Sequence, residues 1–387
     1  MRGVASGEWG VGAPAAVESP SAEEQPSPQS PLPSPEPVES LVIQTSFLGD
    51  VVLTTPLIAE LAMRGPVDVV VTPAAAPLLA NNPAIRHLFV YDKRGDDAGL
   101  SGLWWTAQRL RGRRLKLAAV GARRERRARR TAYLAQGSVR SAMLALMAGC
   151  RERVGFATSA GRLFYTRRVP FRSDHHHAER LWRLAFARQT EVTAPAGALQ
   201  PRLYPSRQDV ESVDRLLRDA GAPDAFVAMA PGSAWGTKRW PYYAELARRV
   251  APRRVVVVGG TADAAAASEM ITGAAHGGVI DATGRLSLLA SAELIGRAAL
   301  LVTNDSAPQH LASAMGTPTL TIFGPTVPGF GFGPLAPRSA PLGHPALPCR
   351  PCHHHGPPRC PLGHWRCMRE LDVERVERAL TAILDGL

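Results

Sequence analysis

The stretch 41–56, LVIQTSFLGDVVLTTP, contains a strand, a turn and the start of a helix. The apolar run Leu41–Ile43 predicts a short buried strand, and a polar turn with a glycine follows it. From Val51 onward, apolar side chains recur at helical spacing. The same strand–turn–helix unit repeats along the chain as far as Phe323. This alternation predicts an α/β fold with parallel sheets and helices on both of their faces.

These units form two consecutive series, and the second series begins near Pro205. The pattern predicts two doubly wound domains, over residues 41–205 and 206–387. A chain of 387 residues with 45% hydrophobic and 20% charged residues can fill two such cores. Because no apolar run reaches about 18 residues, a membrane-spanning helix is excluded. The first 30 residues lack the apolar segment of a secretory signal and there are five cysteines, so we expect a reducing cytoplasm.

The charge of the chain is unevenly distributed. Residues 1–40 hold eight Pro, seven Ser and six Glu against one Arg, whereas the whole chain has a net charge of +12. A segment with this composition cannot bury enough apolar surface to offset its loss of conformational entropy. The composition predicts a disordered tail over 1–40, and the alternative is a start codon assigned too far upstream.

Four residues that can carry or admit chemistry follow directly on predicted strands: Asp50, Ser233, Gly260 and Asp305. Ligands of doubly wound sheets bind outside the carboxyl ends of the strands, so these positions fall where chemistry is expected. A carboxylate at Asp50 can act as a general base towards a substrate hydroxyl. The alternative role of Asp50 is that of a helix N-cap, for which Asp is a favoured residue.

Two turns have the features of a diphosphate site. In 229–241, MAPGSAWGTKRWP, small residues allow close approach to the backbone and Lys238 supplies a compact charge, although there is no Walker A motif. In 303–311, TNDSAPQHL, a polar turn opens directly into a helix, whose free N–H groups and dipole attract anions. A solvated loop is the alternative for the first turn.

Five segments together resemble the lipopolysaccharide heptosyltransferases of glycosyltransferase family 9, most of all the heptosyltransferase II branch. They are Leu41–Pro56, Ala230–Pro241, Asp281–Gly284, Asn304–Pro325 and the downstream CPLGHWRCM. The resemblance implies a GT-B architecture, in which two Rossmann-like domains face a cleft, the first binding the acceptor and the second an ADP-sugar. It also implies transfer of L-glycero-D-manno-heptose from ADP-heptose to the inner core of a lipid A-core lipopolysaccharide, with inversion at the anomeric carbon.

The resemblance makes Asp50 the candidate catalytic base and assigns Lys238 and Ser233 to the donor diphosphate. In such a reaction the base removes a proton as the acceptor hydroxyl attacks. Cationic groups and a helix N-terminus then stabilise the negative charge of the departing ADP. Enzymes of this architecture usually need no metal, so no cofactor is expected for catalysis.

The resemblance assigns six further residues to the donor site. They are Asp305 at the heptose, the backbone of Ser306 and Ala307 at phosphate, His310 in support of that loop, Leu286 near the adenine and Asp263 at the ribose. One of them departs from the family pattern, because Ala307 stands where relatives often have Gly and Gly has more backbone freedom. This departure leaves the loop geometry at Ala307 open.

The segment 349–367 contains four cysteines in the pattern Cys349-x2-Cys352-x7-Cys360-x6-Cys367. The number of cysteines and the C-x2-C pair are compatible with a structural zinc site, but C-x6-C is not a usual second half. A disulfide and unlinked thiols are the alternatives.

The segment 109–130 carries eleven basic residues and one acidic residue. It has Ala and Leu but no aromatic residues, which favours a helix on an anionic surface over a nucleic-acid site. Because the resemblance places it in the acceptor-binding domain, we expect it to dock on the inner leaflet of the inner membrane, with the protein peripheral on the cytoplasmic face. A solvated insertion without a partner is the alternative.

Two rival functions stay open. One is a GT-B transferase that uses another nucleotide sugar, and the other is a non-enzymatic protein that binds anionic membranes or nucleic acid on a GT-B scaffold. Asp50, Lys238 and Asp305 are all present, which favours an active enzyme over a scaffold that has lost its catalytic residues. The run His175–His177 is interpreted as a polar loop rather than a ligand site.

Overall fold

The computed structural model describes residues 38–120, 130–221, 225–274 and 278–386. For residues 113–120 it describes only the backbone. The predicted tail over 1–40 lies outside the described residues except at its end, and the basic residues within 121–129 also lie outside them. Glu39 and Ser40, which the composition assigns to the tail, belong to the first strand.

Within the described residues, the first sheet has six parallel strands in the spatial order β3-β2-β1-β4-β5-β6. The strands are β1 Glu39–Ile43, β2 Val67–Val71, β3 His87–Val90, β4 Arg130–Leu134, β5 Glu152–Phe156 and β6 Arg167–Val169. The helices of this half are α1 Leu48–Ala62, α2 Ala76–Leu79, α3 Gly99–Val120, α4 Val139–Met147 and α5 His177–Trp182.

The second sheet, over the same described part of the chain, also has six parallel strands, in the order β12-β11-β10-β7-β8-β9. The strands are β7 Phe226–Ala230, β8 Arg254–Val257, β9 Val279–Asp281, β10 Leu300–Asn304, β11 Thr319–Phe323 and β12 Ala340–Gly343. The helices are α6 Arg207–Asp219, α7 Tyr243–Arg249, α8 Ala264–Gly273, α9 Leu288–Arg297, α10 Ala307–Met315, α11 Arg366–Arg369 and α12 Val373–Asp385.

Both sheets have the same connectivity. Counted within each sheet, the strand order is 3-2-1-4-5-6, which is the order of the Rossmann fold. The predicted α/β fold with two doubly wound parallel sheets is therefore confirmed. The order reverses between β1 and β4 in the first sheet and between β7 and β10 in the second, and such a reversal opens a crevice at the carboxyl ends of the strands.

A buried ion-pair network fixes the first sheet and involves the end of the basic run. Asp68 in β2 accepts hydrogen bonds from Nη2 of Arg130 at 2.6 Å and from Nη2 of Arg86 at 2.9 Å. Burial alone would raise the pKa of Asp68, but the hydrogen bond from Arg86 and the charge of Arg130 bring it below its usual value. Arg130 is 3% exposed. The expectation that the run over 109–130 faces a membrane is therefore wrong at its last residue.

The helices of the described ranges were also compared with the length and hydropathy that a membrane span requires. None of these helices is both long enough and apolar enough to cross a bilayer.

Candidate active site

The cleft between the two sheets contains a cavity of about 610 Å³, in the range of small-molecule sites. It lies at the carboxyl ends of strands from both sheets, where α1 packs against α10. Every residue that the sequence assigns to catalysis or to the donor lines this cavity: Asp50, Ser233, Lys238, Asp263, Leu286, Asp305, Ser306, Ala307 and His310. The fold therefore brings together residues that are far apart in the chain.

Asp50 lies in the first turn of α1, directly after the loop that follows β1. The N-cap of this helix is Phe47, so the alternative role of Asp50 as an N-cap is wrong. Its Oδ2 accepts a hydrogen bond of 2.5 Å from Oγ of Ser46, and its Oδ1 faces Nε2 of His177 at 3.8 Å. The side chain is 19% exposed and lines the cavity, so a held carboxylate is accessible to a substrate hydroxyl.

His310 on α10 joins the two halves of the site. Its ring packs on the backbone of α1 at Gly49, where an added Cβ would lie 2.5 Å from Cδ2 of the ring. Burial lowers the pKa of His310 to about 3, although the charge of Asp305 opposes the shift. The ring is therefore neutral at physiological pH and sets the spacing between the helix that carries Asp50 and the helix of the predicted phosphate turn.

Lys238 and Asp305 form a buried ion pair in the cavity wall. The Nζ atom of Lys238 lies 2.6 Å from Oδ2 of Asp305. The same oxygen accepts a hydrogen bond from Oγ1 of Thr326 at 2.6 Å, and Oδ1 accepts one from Nε2 of Gln309 at 3.0 Å. Asp305 is thus held by three donors and in turn fixes the ammonium group. Because an ammonium has three N–H donors, Lys238 keeps two that can reach an anion in the cavity.

The N-terminus of α10 points its backbone at the same cavity. Ser306 is the N-cap and Ala307 the first helical residue, and the side chain of Ser306 makes no capping hydrogen bond. Pro308, the second helical residue, has no N–H, and the N–H of Gln309 donates to the carbonyl of Ser306 at 3.3 Å, so the backbone N–H of Ala307 is the group of this turn that can meet an anion. Among the described non-glycine residues, only Arg338 and Trp365 have a positive φ. Ala307 has no positive φ, so the loop needs none of the freedom of Gly at the position that the sequence left open.

Ser233 and Asp263, both predicted at the donor site, have different surroundings. The carbonyl of Ser233 accepts hydrogen bonds from Nε and Nη2 of Arg239 at 2.9 and 2.8 Å, which brings a second cation to the cavity wall. The carboxylate of Asp263 accepts a hydrogen bond of 3.0 Å from the backbone N–H of Gly260. It lies so close to Gly232 that a Cβ there would be 2.3 Å from Oδ1. The glycine thus allows an acidic group to reach the cavity.

The chain matches known proteins over most of its length. The sequence model of glycosyltransferase family 9 (heptosyltransferase) matches residues 123–362. Lipopolysaccharide heptosyltransferase 1 of Pseudomonas aeruginosa is 30% identical over 329 residues, which cover 81% of this chain and 85% of that protein. The chain belongs to glycosyltransferase family 9.

Two further matches concern the same family 9 protein of Escherichia coli. Lipopolysaccharide heptosyltransferase 2 is 27% identical to this chain over 365 residues and covers 89% of this chain and 98% of its own length. The solved structure of the E. coli ADP-heptose lipopolysaccharide heptosyltransferase II has a TM-score of 0.69 at 23% identity, and covers 90% of this chain and 99% of its own. The GT-B architecture implied by the resemblance is confirmed, and the protein is a glycosyltransferase.

Several residues that line the cavity of this family 9 glycosyltransferase were not predicted from the sequence to do so. They are Thr326, Phe330 and Phe332, while for His354 and His355 the sequence suggested only a role as extra metal ligands. These residues stand in irregular segments after β11, where no periodic pattern gives a signal. The polar-loop interpretation of His175–His177 is wrong for its last member, because His177 opens α5 and burial lowers the pKa of its ring. The signal that the sequence offered for His177 was its place in a cluster of titratable residues, His175–His177, that had no assigned role.

The cysteine segment packs beside the lysine loop of this family 9 protein. Among the described residues, no group of three or more His, Cys, Asp or Glu side chains is arranged to hold a metal. Cys349, Cys352, Cys360 and Cys367 form no disulfide. Burial and the charge of neighbouring cysteines raise the pKa of Cys367 to about 11. The backbone at Gly356 instead packs against the side chain of Lys238 and covers it.

The close contact at Gly49 leads to a prediction for this glycosyltransferase. We expect Gly49→Ala to lower the free energy of unfolding by about 1–3 kcal/mol, because the methyl group would overlap the buried ring of His310. In Gly112→Ala, the matched control on α3, the new Cβ would meet nothing within 4 Å. Urea denaturation should show a lower midpoint for Gly49→Ala and no lowering of the midpoint for Gly112→Ala. Equal midpoints would contradict the packing role of Gly49.

Proposed function

We propose that this family 9 glycosyltransferase transfers L-glycero-D-manno-heptose from ADP-heptose to the inner core of lipopolysaccharide, with inversion at the anomeric carbon. One observation carries the proposal. A carboxylate from the first sheet, Asp50, lines the same cavity as a fixed cation and a helix N-terminus from the second, Lys238 and Ser306. The relatives from P. aeruginosa and E. coli, both lipopolysaccharide heptosyltransferases, support the choice of substrates.

Asp50 is the base in this proposal. The acceptor hydroxyl oxygen attacks the anomeric carbon of the heptose while the carboxylate takes the hydroxyl proton. The bond from that carbon to the phosphate oxygen breaks, and ADP leaves with the electron pair. Since the attack and the departure occur on opposite faces of the carbon, the configuration inverts. The hydrogen bond from Ser46 holds Oδ2, and the other lone pairs of the carboxylate can accept the hydroxyl proton.

The negative charge that develops on the departing ADP is met by the second half of the chain. Lys238, fixed by Asp305, and the backbone N–H of Ala307 at the start of α10 line the same cavity, where a diphosphate would contact both. Preorganised donors of this kind stabilise a transition state because they need no reorientation when the charge appears. The proposal therefore assigns the charge stabilisation to the protein's own groups and requires no cofactor.

The remaining donor contacts come from residues that follow the strands of the second sheet. We assign the ribose to Asp263 and the adenine to Leu286, which is partly buried against the apolar core and lines the cavity. Ser233 and the backbone of Ala307 contact the diphosphate. In this assignment residues 206–387 bind the donor, and residues 41–205 bind the acceptor and supply the base.

The experiment that tests the function measures ADP release. The protein is supplied with ADP-heptose and with two truncated lipopolysaccharide acceptors, one without heptose and one with a single heptose. We expect release with the second acceptor, as for a heptosyltransferase II, and a product heavier by one heptose with the inverted anomeric configuration. Release only with the first acceptor would overturn the subtype. Release only with a different nucleotide sugar would overturn the donor, and no release with either acceptor would overturn the proposed acceptor class.

We also propose that the protein is cytoplasmic and docks on the anionic inner face of the inner membrane through α3. This helix exposes Leu100, Trp104 and Trp105, with exposed fractions of 74%, 45% and 60%. Arg109 and Arg111 follow on the exposed side of the same helix. Tryptophan prefers the membrane–water interface and arginine is attracted to anionic lipid, so this surface combines both requirements for peripheral binding.

Replacing both tryptophans tests the docking surface. We expect Trp104→Ala combined with Trp105→Ala to lower the partition of the protein onto vesicles containing phosphatidylglycerol by about tenfold, because about 1 kcal/mol or more of interfacial burial is lost. Met63→Ala, which truncates a residue 75% exposed outside α3, is the matched control. Co-sedimentation at low salt measures the partition. An unchanged partition in the double variant would refute the surface.

A further inference from the structure

His177 stands beside Asp50 without lining the cavity. Its Nε2 atom lies 3.8 Å from Oδ1 of Asp50, and its side chain is 14% exposed. The residues that line the cavity include Asp50 but not His177. The imidazole therefore adjoins the carboxylate without being part of the cavity wall.

The position of His177 depends on both halves of the chain. Its ring stacks on Phe332 with the centroids 4.8 Å apart. Its backbone N–H donates a 2.7 Å hydrogen bond to the carbonyl of Gly331. The preceding His176 places Nε2 at 3.0 Å from the carbonyl of Gly333. The turn that holds these residues is thus bound to the second half on one side, while α5 packs on α1 on the other.

The ring of His177 is neutral in these surroundings. Burial lowers its pKa, and the charge of Asp50 opposes the shift without cancelling it. The other titratable or charged groups facing it are His176, Arg180 on its own helix and His310 on α10. The Nδ1 atom is buried and has no hydrogen-bond partner among the described residues. A neutral ring carries one N–H, and the carboxylate favours that hydrogen on Nε2 because it would repel a lone pair.

We propose that His177 is a positioning residue for Asp50, which directs its Nε2–H towards Oδ1 while Ser46 holds Oδ2. The two donors keep the carboxylate ionised and aimed at the cavity. This inference rests on the proposed function, because it takes Asp50 as the base. At 3.8 Å the two atoms are beyond hydrogen-bond distance, and a shift of about 1 Å would complete the bond, since catalytic hydrogen bonds often tighten when a substrate binds.

Steady-state kinetics of single variants test the inference. We expect His177→Ala to lower kcat by about 10–100-fold, as a misplaced catalytic group does. The KM for ADP-heptose should change little, because the donor contacts lie in the second half. The acidic limb of the pH–rate profile should move to higher pH, since the carboxylate loses a donor that favours its ionised form. His177→Gln, whose amide can supply an N–H at a similar place, should restore most of kcat.

A double variant separates positioning from a purely structural role. If His177 acts only through Asp50, then Asp50→Asn with His177→Ala should be no slower than Asp50→Asn alone. His175→Ala, two residues before His177, is the control and should keep kcat. A folded His177→Ala with unchanged kcat and pH profile would overturn the inference, while an inactive Asp50→Asn in the same assay would leave the proposed function intact. An active Asp50→Asn would instead overturn the role of the base.

Discussion

Asp50→Asn should lower heptose transfer by about 10²–10⁴-fold, the usual contribution of a general base. Asparagine has nearly the same shape and can still accept the hydrogen bond that Ser46 donates, so the fold should persist. It cannot take the proton of the acceptor hydroxyl. ADP release under saturating ADP-heptose and acceptor measures the loss. Binding of ADP should be unchanged, since its proposed contacts come from the second sheet.

The same substitution at another carboxylate provides the control. Asp219 is exposed at the end of α6, and Asp219→Asn should have wild-type turnover. Circular dichroism and the thermal midpoint should be alike for both variants and the parent protein. Near-native turnover by a folded Asp50→Asn would refute the role of Asp50 as base, whatever the substrate proves to be.

Lys238→Ala should impair both stability and activity. Its removal leaves the buried carboxylate of Asp305 without its cation, and breaking a buried ion pair from one side costs about 3–5 kcal/mol. The hydrogen bonds from Thr326 and Gln309 remain, so we expect the lower end of this range. Transfer should fall by about 10²–10³-fold, as for the loss of one preorganised donor at a developing charge. Urea denaturation and ADP release measure the two effects.

A second substitution separates the two effects. Lys238→Met combined with Asp305→Leu replaces the pair by apolar groups, which is often neutral for stability. We expect this double variant to regain most of the lost free energy of unfolding and none of the transfer activity. Calorimetric titration with ADP should also show weaker binding in both variants. Undiminished ADP affinity in Lys238→Ala would contradict the assignment of the lysine to the diphosphate.

The location of the site was predictable from the chain because of a rule of geometry. Parallel strands in a doubly wound sheet all end at the same edge, so residues that follow strands, such as Asp50 and Asp305, must gather there. The family resemblance added the chemical roles, and the cavity lining agrees with the placement of every residue it named. Local patterns also sufficed for strands such as β2 and β8, whose β-branched runs can be read alone. They did not predict β5, β6 or β12, which have no such run.

The partners of these side chains were not predictable, because contacts between distant segments leave no local pattern. The spacing of 175–177 does not indicate that His177 faces Asp50. The composition of 109–130 does not indicate that Arg130 forms a buried ion pair with Asp68. The cysteine count suggested a metal, yet the described segment packs on the lysine loop instead.

The sequence by itself determined the α/β class, the two doubly wound series and the edge at which the site lies. These depend on periodicity and on the direction of the strands, which are local properties. Only the tertiary structure decided that Asp305 anchors Lys238, that His310 seats on Gly49, and that a second histidine approaches the carboxylate. Such pairings depend on how two sheets face each other, and the packing of α1 against α10 sets that arrangement.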